Sequence, residues 1–284
     1  MSLTVQSPCK VNLILNVLPR RHDGFHALES LFLPVPLCDE ITLDKAREGV
    51  KLSCSNPGLS VGADNLVRRA AEAFVTAQGE GGARIHLQKN LPLAAGIGAG
   101  SANAAHTLRG LNQLHDNPLS TEMLHELAAQ LGSDVPFFLQ DKCAVATGRG
   151  EEIEPVGPIQ ILQGKGLLLA HPGFGISTPW AYQALANHSE RYGQPGQGTD
   201  LIQKLQTGDW QSMQNNLEPG VFCKHTVLPV IKEFFKKHGA IGALMSGSGS
   251  TMFAITEDRP AAEALRAKYH DHFGQAGWSA SVCL

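Results

Sequence analysis

The segment from Leu91 to Ala105, LPLAAGIGAGSANAA, is the feature that most constrains the fold of this chain. Residues 84–89, just before it, alternate apolar and polar side chains as a half-buried strand does. Directly after the glycines, the apolar spacing of a helix begins. Glycines let backbone N–H groups converge, and a helix start adds unpaired N–H groups and a partial positive charge. A strand, a glycine-rich loop and a helix in this order therefore predict a phosphate-binding loop.

Two common phosphate-binding motifs do not fit this loop. A P-loop requires Lys and then Ser or Thr after its last glycine, whereas Gly100 is followed by Ser101 and Ala102. A dinucleotide motif requires glycine in place of Ser101 and an acidic residue at a strand end about 20 residues later. Asp116 has that distance, but the residues before it continue the helix. From the glycines alone, a turn that binds no ligand is an equally good interpretation.

The composition excludes several classes of protein. With 284 residues, 43% hydrophobic and 17% charged, the chain is globular and long enough for one large domain or two ordinary ones. A net charge of −3 without a basic block argues against a nucleic acid or an anionic membrane as partner. No apolar run reaches the roughly 18–20 residues that span a bilayer. Six scattered cysteines indicate free thiols, and we expect a cytoplasmic protein.

Lys10 and Asn12 are two positions apart in a strand that the pattern predicts over residues 4–18. Side chains alternate between the faces of a strand, so this lysine and asparagine share one face. The opposite face is expected to carry Val11, Leu13 and Leu15. A single lysine on a strand is more often a solvated charge than a functional group.

Composition changes in the middle of the chain, where glycine and proline accumulate at 150–166. We place a domain boundary there, which gives domains over 1–157 and 158–284. In the second half, the polar and glycine-rich residues 189–199 predict a mobile loop. A second glycine-rich loop at 246–250 lies between two predicted strands.

Several motifs, taken together and in their order, resemble those of the GHMP kinases, small-molecule kinases whose phosphate loop differs from the P-loop. The motifs are Pro8-x-Lys10-x-Asn12-Leu13, the loop at 92–105, Gly132-Ser133-Asp134-Val135-Pro136 and Gly247-Ser248-Gly249-Ser250. A second set resembles the members of that family that act on a cytidine-linked alcohol: Asp23-Gly24-Phe25-His26, Asp64-Asn65-Leu66 and Ala170-His171-Pro172-Gly173. Each motif is modest, but the set is specific and covers essentially the whole chain.

The resemblance implies an α+β fold of two domains, the first like domain 2 of ribosomal protein S5 and the second ferredoxin-like. It also implies that ATP phosphorylates the 2-hydroxyl of a cytidine diphosphate-linked methylerythritol, in non-mevalonate isoprenoid precursor biosynthesis. ATP and Mg²⁺ are the implied cofactors. The implied partner is a small molecule, not a nucleic acid or a membrane, and we expect a monomer or a weak homodimer.

The resemblance implies that Asp134 is the catalytic carboxylate, which takes the proton of the attacking hydroxyl, and that Lys10 is the lysine paired with it. Asn12 is then expected to bind substrate. Taken by itself, Asp134 precedes Val135 and Pro136, and this position favours a helix cap. The family pattern favours the catalytic role.

Residues of the central loop are expected to hold the phosphates of ATP. They are Pro92, Leu93, Ala94, Ala95, Gly96, Ile97, Gly98, Ala99, Gly100, Ser101 and Ala102. Asn65, Leu66 and Lys89 match family positions near the adenosine, and the Ser101 hydroxyl is the candidate Mg²⁺ ligand. The loop departs from the commonest family pattern, because alanines replace some of its glycines and serines, but small side chains still leave the backbone accessible.

The resemblance also implies that the cytosine stacks on Phe25 and that His26 reads its edge. Tyr182, four residues beyond Thr178, is expected to complete the stack, and these four residues are the predicted substrate contacts besides Asn12. An alternative is that the two aromatic residues are ordinary core side chains.

Two other functions stay open from the sequence. One is a GHMP kinase with a different acceptor, such as homoserine or mevalonate, against which the Phe25-His26 turn speaks. The other is a ligand sensor that kept the fold and lost the chemistry. The presence of both Lys10 and Asp134 argues against a sensor.

Overall fold

The computed structural model describes residues 2–140 and 142–284, which form two β-sheets with helices packed on them. The strands are β1 (Ser2–Arg20), β2 (His26–Ala46), β3 (Gly49–Cys54), β4 (Gly82–Gln88), β5 (Ala144–Thr147), β6 (Glu152–Pro155), β7 (Gly166–His171), β8 (Gln214–Asn215), β9 (Gly242–Met245), β10 (Met252–Thr256) and β11 (Trp278–Cys283). The helices are α1 (Leu66–Gln78), α2 (Ala99–Leu114), α3 (Thr121–Leu131), α4 (Thr178–Ala186), α5 (Gln197–Gln206), α6 (Glu218–Lys224), α7 (Val227–Lys237) and α8 (Arg259–Phe273). Short 3₁₀ turns lie at Pro136–Leu139, Gln160–Leu162, Ser189–Arg191 and Trp210–Ser212.

The first sheet follows the order β3-β4-β2-β1-β8, with β5 pairing with both β2 and β6. The second sheet follows the order β11-β7-β10-β9 and is antiparallel throughout. Numbered along the chain, its strands lie in the order 4-1-3-2, with helices between the first and second strands and between the third and fourth. This is a ferredoxin-like arrangement, and the expected α+β fold is confirmed.

The second half of the chain also contributes to the first sheet. Strand β8 pairs in parallel with β1, through Ile14 with Gln214 and Leu15 with Asn215. The boundary between residues 157 and 158 stays a prediction. The stretch 189–199, expected as a mobile loop, contains a 3₁₀ turn and the start of α5.

Strand β1 has an irregularity that overturns one expectation about its faces. Its register with β2 shifts between Asn12 and Ile14, which marks a β-bulge. A bulge adds one residue to one strand and reverses the alternation beyond it. Leu15 therefore lines the same cleft as Lys10 and Asn12, not the opposite face as predicted.

Helix α2 passes through the interior and packs on the first sheet. Its buried side chains are mostly small, which allows close approach to the strands. At Gly110, an added Cβ would lie 2.4 Å from Leu43 Cδ1 of β2. This packing fixes the position of the helix, and so of its N-terminus. Among residues 2–140 and 142–284, no helix has both the length and the apolar character that crossing a bilayer requires.

Candidate active site

A cleft of about 880 Å³ lies where the glycine-rich loop, strand β1 and the start of α4 meet. The predicted loop residues from Pro92 to Ser101 line it, together with predicted site residues from five other segments. Those residues are Lys10, Asn12, Asn65, Leu66, Lys89, Asp134, Thr178 and Tyr182. The structure thus brings most of the predicted site into one cavity, while Ala102 is buried behind it in α2.

Two glycines of the loop occupy positions that no other residue fits. Gly96 and Gly98 have φ values of 75° and 68°, in the left-handed region that favours glycine. A Cβ on Gly96 would lie 2.3 Å from the carbonyl oxygen of Ser246. A Cβ on Gly98 would lie 2.9 Å from Cζ of Phe138. Ala94, where the backbone φ is 50°, adopts the left-handed region without being a glycine.

The start of α2 leaves backbone donors free for an anion. Gly98 is the N-cap and supplies no side-chain acceptor. The first hydrogen bond of the helix runs from Ala102 N to Gly98 O, at 2.9 Å. The N–H groups of the preceding turn, at Ala99, Gly100 and Ser101, therefore have no acceptor within the helix. Because the helix dipole adds positive potential at the same place, this end of the cleft suits a phosphate.

Lys10 and Asp134 come together although 124 positions separate them in the sequence. Lys10 Nζ lies 3.4 Å from Asp134 Oδ2, and the lysine side chain is 4% exposed against 36% for the aspartate. The ammonium also donates to Asn12 Oδ1 at 2.6 Å and lies 4.5 Å from the centre of the Phe32 ring. The lysine is therefore held in place, whereas the aspartate faces the cleft.

The structure does not favour a helix cap as the role of Asp134. The following 3₁₀ turn, Pro136–Leu139, begins after Val135 and has no side-chain capping hydrogen bond among the described residues. The carboxylate instead lies next to the Lys10 ammonium. Asn12, which accepts from Lys10, is held in turn because its amide donates to Ser30 Oγ at 2.8 Å.

Lys89 lines the cleft, and its ammonium is paired with a carboxylate that the sequence analysis missed. Lys89 Nζ lies 2.5 Å from Asp39 Oδ2, and the two side chains are 3% and 0% exposed. Asp39 also accepts from Asn90 N at 2.8 Å, from Leu91 N at 2.9 Å and from Asn103 Nδ2 at 3.0 Å. This carboxylate joins strand β2, the entry to the loop and helix α2. In the sequence, Asp39 is an acidic residue between two apolar stretches. The pattern alone indicates a break between strands there, not a buried carboxylate.

Two further predicted residues, Asn65 and Leu66, lie at the start of α1. Asn65 Oδ1 accepts from Val67 N at 2.8 Å and so caps the helix. Both residues line the cleft next to Ser60 and Asp64.

The second glycine-rich loop packs directly on the first. Ser246 Oγ donates to Gly96 O at 2.9 Å, and Thr251 N donates to Ala95 O at 3.2 Å. Ser248 lines the cleft, and its hydroxyl lies 3.0 Å from that of Thr178. The glycine-serine pattern indicated this loop, but not that Ser248 faces the site.

Of the three aromatic side chains predicted to bind the base, Tyr182 lines the cleft and His26 lies beside it. Burial, and after it the Asp134 carboxylate, raises the pKa of the Tyr182 phenol. The His26 ring lies 5.5 Å from the Tyr182 ring, between centroids. Phe25 is 52% exposed, and its ring lies 4.9 Å from Arg149 Cζ. Unlike Tyr182, Phe25 and His26 are not among the residues that line the cleft.

The cleft offers oxygen donors to a metal from separate side chains. No group of three or more His, Cys, Asp or Glu side chains with metal-binding geometry occurs in the described part of the chain. The Ser101 hydroxyl and the Asp134 carboxylate are oxygen donors within the cleft. Such a set suits Mg²⁺, which keeps several waters and binds through substrate phosphates.

Comparison with known proteins gives matches along the whole chain. The family description "GHMP kinases N terminal domain" matches residues 65–142, and "GHMP kinases C terminal" matches residues 197–275. The 4-diphosphocytidyl-2-C-methyl-D-erythritol kinase of Pelobacter propionicus is 38% identical over 286 residues, covering 99% of this chain and 98% of the relative.

Solved structures agree with these matches. A crystal structure of 4-(cytidine 5′-diphospho)-2C-methyl-D-erythritol kinase has a TM-score of 0.80 and 34% identity, covering 98% of each chain. The homoserine kinase of Cytophaga hutchinsonii has a TM-score of 0.73 over 99% of this chain and 93% of its own. At 20% identity, that likeness concerns the fold alone.

Proposed function

The chain belongs to the GHMP kinases, a family of small-molecule phosphotransferases, and on that premise we propose that it transfers the γ-phosphoryl group of ATP to the 2-hydroxyl of 4-diphosphocytidyl-2-C-methyl-D-erythritol. One observation carries the proposal. The buried Lys10 lies 3.4 Å from the cleft-facing Asp134, in the same cavity as the free N–H groups of α2. The substrate follows from relatives with this activity that match over nearly the full length of the chain.

In the proposed step, an Asp134 oxygen takes the proton of the acceptor hydroxyl. The hydroxyl oxygen bonds to the γ-phosphorus as the bond from that phosphorus to the β,γ-bridging oxygen breaks. ADP leaves with the bridging oxygen, and the partly exposed carboxylate releases its proton to solvent. Lys10 supplies positive charge beside the transferring group, because phosphoryl transfer depends mainly on positioning and charge neutralisation.

The loop from Pro92 to Ala102 is proposed to hold the ATP phosphates on the backbone donors at the start of α2. Asn65, Leu66 and Lys89 are proposed to contact the adenosine, which is supported by their place along the cleft. Ser101 is the side chain proposed to ligate Mg²⁺. When bound, the ion would neutralise charge on the ATP phosphates.

Phe25, His26 and Tyr182 are proposed to recognise the cytosine, where Tyr182 lines the cleft, with Asn12 and Thr178 contacting the rest of the acceptor. His26 Nδ1 lies 3.0 Å from Leu18 O, and a carbonyl oxygen only accepts, so Nδ1 carries the proton. In the neutral ring, Nε2 is then an acceptor. Cytosine offers an amino donor at N4, whereas uracil offers a carbonyl oxygen there, so this tautomer favours cytosine.

Release of ADP in the presence of Mg²⁺ tests the proposal, with 4-diphosphocytidyl-2-C-methyl-D-erythritol as the acceptor and ³¹P NMR to locate the new phosphate. We expect acceptor-dependent ADP release and a phosphomonoester on the 2-oxygen. Homoserine, mevalonate and methylerythritol without the cytidine diphosphate serve as alternative acceptors, and we expect them to give background rates. ADP release that stays at background with the cytidine-linked acceptor would reject the proposal. Equal rates with a free alcohol would show a kinase of different specificity.

A further inference from the structure

The segment from Arg191 to Gly198, which follows α4 and runs into the first turn of α5, places a second tyrosine against His26. The centre of the Tyr192 ring lies 5.4 Å from that of His26, with an angle of 33° between the planes. Tyr182 lies at a similar distance, 5.5 Å. The imidazole ring is therefore packed against two aromatic rings from the second half of the chain. Nothing in the sequence motifs indicated a role for Tyr192.

A carboxylate from the first sheet fastens this segment. Glu29 Oε1 accepts from Gly196 N, and Glu29 Oε2 accepts from Gly198 N, both at 2.6 Å. The amide of Asn16 donates to Glu29 Oε2 at 3.0 Å and to Gln194 O at 3.1 Å. Three of these contacts join residues 194–198 to strands β1 and β2, and the fourth links Asn16 to Glu29 within the sheet.

Close packing reinforces these bonds. Gly193 N donates to Val17 O at 2.8 Å, and a Cβ on Gly193 would lie 1.7 Å from Asn16 Oδ1. A Cβ on Gly198 would lie 2.5 Å from Glu29 Cβ. Only glycine fits at these two positions, so the backbone on both sides of the turn lies directly against the strands. This places Tyr192, the residue before Gly193, at a defined position.

Glu29 also acts as the cap of α5. The N-cap residue, Gly196, has φ of 84° and no side chain that could accept from the first turn. The Glu29 carboxylate, which belongs to strand β2, takes that role instead. Its negative charge is stabilising at the N-terminus of a helix. Since Glu29 lies three residues after His26 on β2, one strand carries both the imidazole and the group that positions its tyrosine neighbour.

We propose that Tyr192 is a positioning residue for His26, and that Glu29 holds it there, so that residues 191–198 contribute to selectivity for the base of the acceptor. The inference rests on the proposed function, in which His26 reads the cytosine edge. An imidazole packed against two rings has little freedom to turn, which keeps the acceptor nitrogen directed at one edge of the base. Without Tyr192, the ring has one fewer aromatic neighbour and more orientations.

Steady-state kinetics of Tyr192→Ala, Tyr192→Phe and Glu29→Gln test the proposal. For Tyr192→Ala, we expect KM for the cytidine-linked acceptor to rise about three- to tenfold, the range of a lost aromatic pair. KM for ATP and kcat should stay within about twofold. Tyr192→Phe keeps the ring and should match wild type. Glu29→Gln, which loses the charge, should raise the same KM.

Glu40→Gln is the matched control for Glu29→Gln. Glu40 lies on the same strand and also accepts from a side-chain amide, Gln6 Nε2, at 3.0 Å, but that partner belongs to β1 and not to residues 191–198. We expect it to leave both KM values unchanged. An unchanged KM for the acceptor in Tyr192→Ala overturns the proposal. Parallel changes in KM for ATP, KM for the acceptor and thermal stability also overturn it, because they indicate a purely structural role.

Calorimetric titration with CDP separates this inference from the proposed function. If wild type releases no ADP with the acceptor but binds CDP, and Tyr192→Ala weakens that binding, the proposed function fails and the inference stands. If wild type turns over the acceptor and Tyr192→Ala binds CDP equally well, the function stands and the inference fails. Absence of CDP binding to wild type rejects the inference, and it rejects the proposed function as well if no ADP is released with the acceptor.

Discussion

The buried pair of Asp39 and Lys89 gives a prediction whose size follows from the contacts. In Asp39→Asn, the amide oxygen can replace Oδ1 and still accept from Asn90 N and Leu91 N. The amide NH₂ group then replaces Oδ2 and faces Lys89 Nζ and Asn103 Nδ2, which are both donors. Lys89, 3% exposed, is left as a buried charge without its partner. Breaking such a pair costs about 3–5 kcal/mol.

The reciprocal variant is expected to lower the free energy of unfolding by a smaller amount. Lys89→Met leaves the Asp39 carboxylate with three N–H donors, and we expect a loss of about 1–3 kcal/mol, the size of one charged hydrogen bond. The double variant Asp39→Asn with Lys89→Met removes both charges. Its loss should fall short of the sum of the single losses by roughly 1–3 kcal/mol.

Urea unfolding followed by circular dichroism measures these free energies. Glu263→Gln is the matched control, because it breaks an Arg259–Glu263 pair that is 61% and 52% exposed. Such surface pairs contribute only about 0–1 kcal/mol. A loss below about 1 kcal/mol in Asp39→Asn, or strictly additive losses in the double variant, would refute the reasoning.

Three further predictions concern the catalytic carboxylate, the loop and pH. Asp134→Asn should lower kcat by at least ~10²-fold, which is the range for loss of a general base. ATP binding, measured by calorimetry, should be retained. An unchanged kcat would remove Asp134 from that role. Gly96→Ala should lower the free energy of unfolding by about 1–2 kcal/mol from left-handed backbone strain alone. It should also weaken ATP binding, because the added Cβ meets Ser246 O, and an unchanged affinity for ATP would contradict this. Burial lowers the pKa of His171, so the unfolded chain binds its proton more readily and stability should fall as pH decreases below about 6.5. In His171→Gln, the free energy of unfolding measured with urea should fall less between pH 7.5 and 5 than in wild type. An equal fall would exclude His171 as a cause.

Sequence patterns identified the site best where a function depends on local spacing. Lys10 and Asn12 were predicted to share a face from a spacing of two, and their side chains are hydrogen-bonded to each other. The glycine-rich loop was predicted from composition and order. Leu15 was placed on the wrong face, because a bulge depends on the register with β2 and not on β1 alone.

Contacts between distant segments were harder to predict from the sequence. Asp39 lies within the continuous strand His26–Ala46, although its charged side chain interrupts the apolar alternation there. Its partners come from two later segments, residues 89–91 and helix α2, which no local pattern reveals. Residues 189–199 look like a loop by composition, yet Glu29, more than 160 residues earlier, fastens them.

The phosphate loop and the pair of Lys10 and Asp134 are positioned by the same contacts. Lys10 N donates to Ile97 O at 2.9 Å, so the main chain of β1 is bonded to the loop itself. Gly98 fits between Lys10 Cε and the Phe138 ring, which a Cβ there would approach to 3.2 Å and 2.9 Å. Phe138 belongs to the 3₁₀ turn that follows Asp134. The separation between the anion-binding end of the cleft and the carboxylate is therefore set by close packing, which deforms little, and not by the ion pair alone. For a reaction that depends on alignment, this rigidity is the property that the proposed chemistry requires.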